Sequence, residues 1–157
     1  MKQVKKRQPR PRLREVEPGE PEAATEQSAA EAHASRVGSH ASAIFDRAAF
    51  LTWVMNDEWM ASSIASMFLA NMPVQIEKLA SAIRAGDCGE AEFQAHTIKG
   101  ASANVGGEAL REVALEMEKA AEAGDLDALR TLLAQLENRF ARLKEAMEKD
   151  FDRGVHG

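Results

Sequence analysis

Ala95-His96-Thr97-Ile98-Lys99-Gly100-Ala101-Ser102-Ala103-Asn104-Val105-Gly106-Gly107 reads as a helix that ends in a break at the paired glycines. At about 3.6 residues per turn, Glu92, His96, Lys99, Gly100 and Ala103 share one stripe. Ala91, Ile98, Ser102 and Val105 fall on the opposite side. A histidine packed into a core would belong to the second set. His96 belongs to the first, so it is predicted to stand in solvent, with a cation one turn onward and a position without a side chain beside both.

The chemistry of that stripe suits a phosphoryl acceptor. Imidazole titrates near neutrality, so a useful fraction is the neutral nucleophile at ordinary pH. Lys99 supplies a flexible point charge able to meet phosphate oxygens. Gly100 removes bulk, so that another protein's active site can close over the ring. A glycine inside a helix costs roughly 1 kcal/mol against alanine, and close approach is the reason expected for it here.

Working outward, the punctuation is helical throughout. Asp46 can N-cap a short helix carrying Phe50, Leu51 and Val54, and Asn56 or Asp57 can cap the next, with Trp59, Met60, Ile64, Met67 and Phe68 in a stripe. Pro73 suits the first turn of a third helix bearing Ile76, Leu79 and Ile83. Gly86-Asp87 and Gly124-Asp125 each end one helix and cap the following one. Between them lie the His96 helix and a helix with Leu110, Val113, Ala114, Met117 and Ala121. The last helix carries Leu129, Leu133, Leu136, Phe140, Leu143 and Met147. Short connections between long amphipathic helices imply antiparallel neighbours. The expected fold is therefore all-α, an antiparallel up-down-up-down four-helix bundle with one or two short N-terminal helices packed over one end.

Composition agrees. The 157 residues are 45% hydrophobic, with six Phe, two Trp and no Tyr, which favours helices rich in Ala and Leu over a β-sandwich. The single cysteine, Cys88, excludes an intramolecular disulfide and, by itself, a zinc cluster, and reads as a reduced thiol near a helix start. Residues 1–14 carry seven Lys or Arg and no acid. Residues 44–157 carry 12 basic against 19 acidic side chains, a net of −7 that argues against nucleic-acid binding by the body. No apolar run follows the basic start and none approaches the ~18 residues of a membrane span, so a cytoplasmic chain without membrane insertion is expected. Residues 1–42, rich in Pro, Gly, Glu, Ala and Ser, read as a disordered tail or linker, and residues 43–153 as the bundle. His33, His40 and His156 fall in the ends expected to be flexible.

The pattern His-x-x-Lys-Gly-x-Ser-x-x-x-Gly, filled by His96, Lys99, Gly100, Ser102 and Gly106, resembles the signature of histidine phosphotransfer (HPt) domains, the shuttle modules of bacterial multistep phosphorelays. The likeness extends over roughly Ile44 to Phe151. It implies a phosphotransfer intermediate with no kinase activity of its own: His96 accepts a phosphoryl group from a receiver-domain aspartate and passes it to another. The partners implied are response-regulator receiver domains, with Mg2+ on the receiver and no cofactor or metal in this chain, and the bundle is expected to be monomeric. In the family, an acid or amide on the helix after the histidine helix can accept the proton of ring Nδ1. Ala114-x-x-Met117-Glu118-x-Ala120 puts Glu118 where that acceptor would lie, the other reading being an ordinary exposed glutamate among Glu108, Glu112, Glu116 and Glu122. Ser102 faces away from His96 and is expected to pack against a neighbouring helix. Gly107, where the family often has alanine, is expected to matter little. Phe93 belongs either to an apolar landing surface or to the core. Trp53, Trp59, Met67, Phe68 and Met72 either extend a docking surface or fill the core, most of them being expected in the core.

Other classes remain to be distinguished. The helix hairpin of a dimeric sensor kinase usually has an acid directly after its histidine, where this chain has Thr97. The phosphoacceptor domain of chemotaxis-type kinases shares the bundle but usually continues differently after Ser102. A docking bundle that binds receivers without accepting phosphate would use the same residues, and an oligomerising structural bundle would bind no receiver. Tethering as the C-terminal module of a hybrid sensor histidine kinase fits a linker over 1–42, and Met1 fits a free-standing protein.

Overall fold

A carboxylate starts four of the five helices found among the described residues, which in this computed structural model are 43–155. The expected tail over 1–42, with His33 and His40, lies outside them, as does His156. Helix α1 (Arg47–Trp53) begins where Asp46 accepts from Ala49 N at 3.0 Å, and α2 (Glu58–Ala85) where Asp57 accepts from Met60 N at 2.9 Å. Helix α3 (Cys88–Asn104) starts behind Asp87, and α5 (Leu126–Val155) behind Asp125, each carboxylate accepting a first-turn N–H at 3.0 Å. These bonds satisfy donors that a helix cannot pair internally. Helix α4 (Glu108–Glu122) is the exception, beginning at Gly107 with no side-chain cap.

The helix start expected at Pro73 does not occur: α2 runs unbroken through it for 28 residues. An interior proline costs about 3 kcal/mol by removing one N–H and crowding the preceding turn. Here the ring lies on the exposed side, while Phe68, Met72, Ile76 and Leu79, on both sides of it, are buried along one stripe. Burying a large apolar side chain is worth roughly 1.5–3 kcal/mol. Four such residues on one continuous helix outweigh the defect, so the two helices read from the sequence are one.

Helix α2 packs on α3 and α5, α3 on α4, and α4 on α5, which closes a ring of four with links of two or three residues. Gly86 and Gly124, at φ 70° and 71°, make two of those turns. The shared core includes Leu79, Ile98, Leu110, Met117, Leu129, Leu136, Leu143 and Met147, each essentially without solvent exposure. Leu133 and Phe140 pack against it from partly buried positions. One short N-terminal helix, α1, caps an end of the bundle. Asp46 N donates to Gly106 O at 2.8 Å, Ala109 N donates to Ala43 O at 3.1 Å, and Phe45 lies against Phe50 and Phe151. Arg47 completes the attachment by pairing with Asp150 of α5 and Glu58 of α2.

Candidate functional site

Helix α3 is divided as its sequence period requires. Ala91, Ala95, Ile98 and Ser102 are buried, and Glu92, His96, Gly100 and Ala103 are exposed. Small residues dominate the buried side, so α3 lies close against α4 and brings its side face within reach of α4 side chains. Ser102 is inside, its hydroxyl donating to Ile98 O at 2.7 Å, in agreement with the expected packing role.

At mid-helix the His96 side chain is 65% exposed, and its Nδ1 lies 2.7 Å from Oε1 of Glu118. An ionised carboxylate can only accept, so the proton of this bond is on Nδ1 and the lone pair of the neutral ring is on Nε2. Glu118 sits on α4 with 19% of its side chain exposed, and its second oxygen, Oε2, accepts from Lys99 Nζ at 2.5 Å. Burial pushes this carboxyl up, but the hydrogen bonds from Lys99 and His96 and the charge on Lys99 outweigh it, leaving Glu118 below the ordinary carboxylate value. A ring in this state can attack an electrophile through Nε2.

Gly100 has nothing within 4 Å of where a Cβ would stand, so it leaves an open flank beside the ring rather than making room for a neighbour in the fold. Gly106 is different: it holds φ at 73°, and a Cβ there would lie 2.5 Å from the backbone oxygen of Asp46. Gly107 also corrects an expectation. It is buried, and a Cβ on it would approach Leu143 Cδ2 to 2.7 Å, so it bears on the core.

The aromatic and methionine residues divide against the reading that most are core. Phe68 and Met72 are buried, whereas Trp53, Trp59 and Met67 are 53%, 78% and 63% exposed, and Phe93 is on the surface. A mostly apolar groove of about 270 Å³ runs between α2 and α3, lined by Trp53, Met67, Met72, Thr97, Ala101 and Asn104 among others. Trp53, on the short α1 docked by Gly106 and Arg47, forms part of the groove's wall. The link from Lys99 to Glu118 was likewise missed, since a lysine beside a histidine was read only toward phosphate.

The site lies within the stretch that a family model recognises. The model, described as the Hpt domain, matches residues 63–146. No curated protein matches the chain. Among solved structures, the chain is similar to histidine-containing phosphotransfer protein B (HptB) from Pseudomonas aeruginosa PAO1, at 27% identity and a TM-score of 0.65, over 72% of this chain and 98% of that one. The HPT domain from the Hpt sensor hybrid histidine kinase from Shewanella shares the fold at 19% identity and a TM-score of 0.61, over 70% and 95% of the two chains. Bundle, exposed imidazole and family match define a histidine phosphotransfer module. The chain belongs to the Hpt domain family, and its function is histidine phosphotransfer in a phosphorelay.

Proposed function

We propose that His96 is the acceptor, taking a phosphoryl group from the aspartyl phosphate of one response-regulator receiver and passing it to the aspartate of another. The observation that carries this is the ring itself: its Nδ1–H is bound to Glu118 and its other nitrogen belongs to a largely exposed imidazole. In the transfer, the Nε2 lone pair forms the N–P bond while the bond from phosphorus to the aspartate oxygen breaks, its electron pair remaining on that carboxylate. The Nδ1 proton stays in place, and the Glu118 carboxylate balances the positive charge the ring acquires. Such chemistry is mostly positioning and charge stabilisation. The receiver is expected to bring Mg2+, and this chain the nucleophile.

Gly100 leaves the flank of His96 clear for the approaching active site, and Phe93 with the Trp53–Met67 groove offers apolar area for docking before transfer. The module works in the cytoplasm in this reading; no helix among the described residues is long and apolar enough to cross a membrane. The test is incubation with a phosphorylated receiver and mapping of the acid-labile label. Label on His96, absent from His96→Gln, is expected. Equal labelling of that variant would end the assignment.

A further inference from the structure

From Trp59 to Ile76 helix α2 has no charged residue, although one side of it meets water. The exposed faces of α4 and α5 carry both signs, with Glu112, Glu116 and Lys119 on one and Arg130, Glu137 and Lys144 on the other. On the watery side of α2, Met60, Met67 and Val74 recur every seven residues and are 37%, 63% and 55% exposed. Half-buried Ser63 and exposed Ala70 alternate with them. This seam is distinct from the groove beside α3. At about 100° per residue it lies more than a quarter turn from Ile64, Phe68 and Gln75, which line the groove, and only Met67 belongs to both.

We propose that the seam is a homodimer contact, in which the α2 helices of two copies pair antiparallel about a two-fold axis midway between Met67 and Ala70. Charge, shape and the ends of the seam each favour a second copy as the occupant. A body with a net charge of −7 over residues 44–157 repels its own kind, and the uncharged seam is where two such bodies can meet without setting like charges together. A large side chain is followed three residues later by a small one, at Met60 and Ser63 and again at Met67 and Ala70. Antiparallel order therefore seats Met67 of each copy over Ala70 of the other, and Val74 over Ser63, as knobs into holes. Glu58 precedes the seam and Lys78 follows it. Antiparallel order brings Lys78 of each copy level with Glu58 and Trp59 of the other, whereas parallel order would set like charges together. Glu58 binds Arg47 within its own chain, yet its side chain is 61% exposed. The contact is small, so the pair is transient. Helix α3 stands between α2 and α4, and His96 is on its α4 side, so both rings stay in solvent and one dimer presents two acceptors. This departs from the monomer expected from the sequence, and the pairing itself does not depend on His96 being the acceptor.

Sedimentation equilibrium of the full chain, from about ten micromolar to about one millimolar, should show the mass rising toward twice that of the monomer. Ala70→Glu and Val74→Glu, each setting like charges across the seam, should weaken association at least about tenfold. Their melting temperatures should stay near wild type because both positions are exposed, and their labelling at His96 should be unchanged because neither residue lines the groove. Orientation is read by cross-linking in a Cys88→Ser background. Ser63→Cys and Val74→Cys variants should form a disulfide with each other under a mild oxidant and neither with itself, since antiparallel order separates the two copies of either position by about 16 Å along the axis. A monomeric mass across the whole range would overturn the proposal, and slower labelling of Val74→Glu in that case would assign the seam to the receiver. Self-linking of either cysteine variant would overturn the antiparallel order.

Discussion

The two ends of the His96-to-Gly107 run use glycine for opposite purposes. At Gly100 the absent side chain faces empty space, beside an exposed imidazole. At Gly106 and Gly107 it lets backbone and core come together: Asp46 approaches the first, and Leu143 the second. One end of the motif is thus kept clear for a visitor, while the other end is filled by the protein itself. A motif can therefore be continuous in sequence and still divide between chemistry and folding, and the packing around each position tells which half a residue serves.

Substitutions can break that contrast. His96→Gln should abolish labelling by a phosphorylated receiver while the melting temperature stays near wild type, because a mostly exposed ring supports little packing. Gly106→Ala should do the reverse. A backbone clash together with a left-handed φ should cost about 2–4 kcal/mol, measured by urea denaturation, and loosen α1 from the bundle. Gly107→Ala meets only the end of a leucine side chain and should cost less, about 1–2 kcal/mol. Gly100→Ala sharpens the comparison by its sign. With nothing to strike, it should stabilise the helix by roughly 0.5–1 kcal/mol while slowing transfer from the receiver. A loss of stability there would mean that Gly100 belongs with the structural glycines.

The smallest effect expected is electrostatic. Glu118 is depressed in the folded protein, so its contribution is present above the unfolded carboxylate value, about 4.3, and is lost as pH falls through the lower folded value. The stability gap between wild type and Glu118→Gln should accordingly be widest near neutrality and close on acidification, as measured by denaturation at a series of pH values. A gap independent of pH would show that the ionised state of Glu118 adds nothing to the fold.

Much of this was legible in the chain. Alternation of small and polar residues along α3 placed His96 outward and Ser102 inward, and aspartates marked four helix starts. Pro73 misled because its local preference for a first turn is real, yet weaker than the burial of Phe68, Met72, Ile76 and Leu79 along one rod. Trp53, Trp59 and Met67 misled because apolar character says that a residue favours burial, while whether a partner face exists within the chain depends on where helices end and how they dock. Gly107 looked inconsequential until Leu143, far away in sequence, came to lie against it.

Which residues form helices, and which side of α3 meets water, follow from a period of 3.6 and from caps within a few positions, all local properties of the chain. That Glu118 rather than Glu116 or Glu122 accepts the hydrogen bond from His96 Nδ1, and that Lys99 takes the other oxygen, depends on the rotation and axial offset of α4 against α3. Those two quantities are set by the fit of buried side chains such as Ile98, Leu110 and Met117 in a core built from all four long helices, and no single segment contains them.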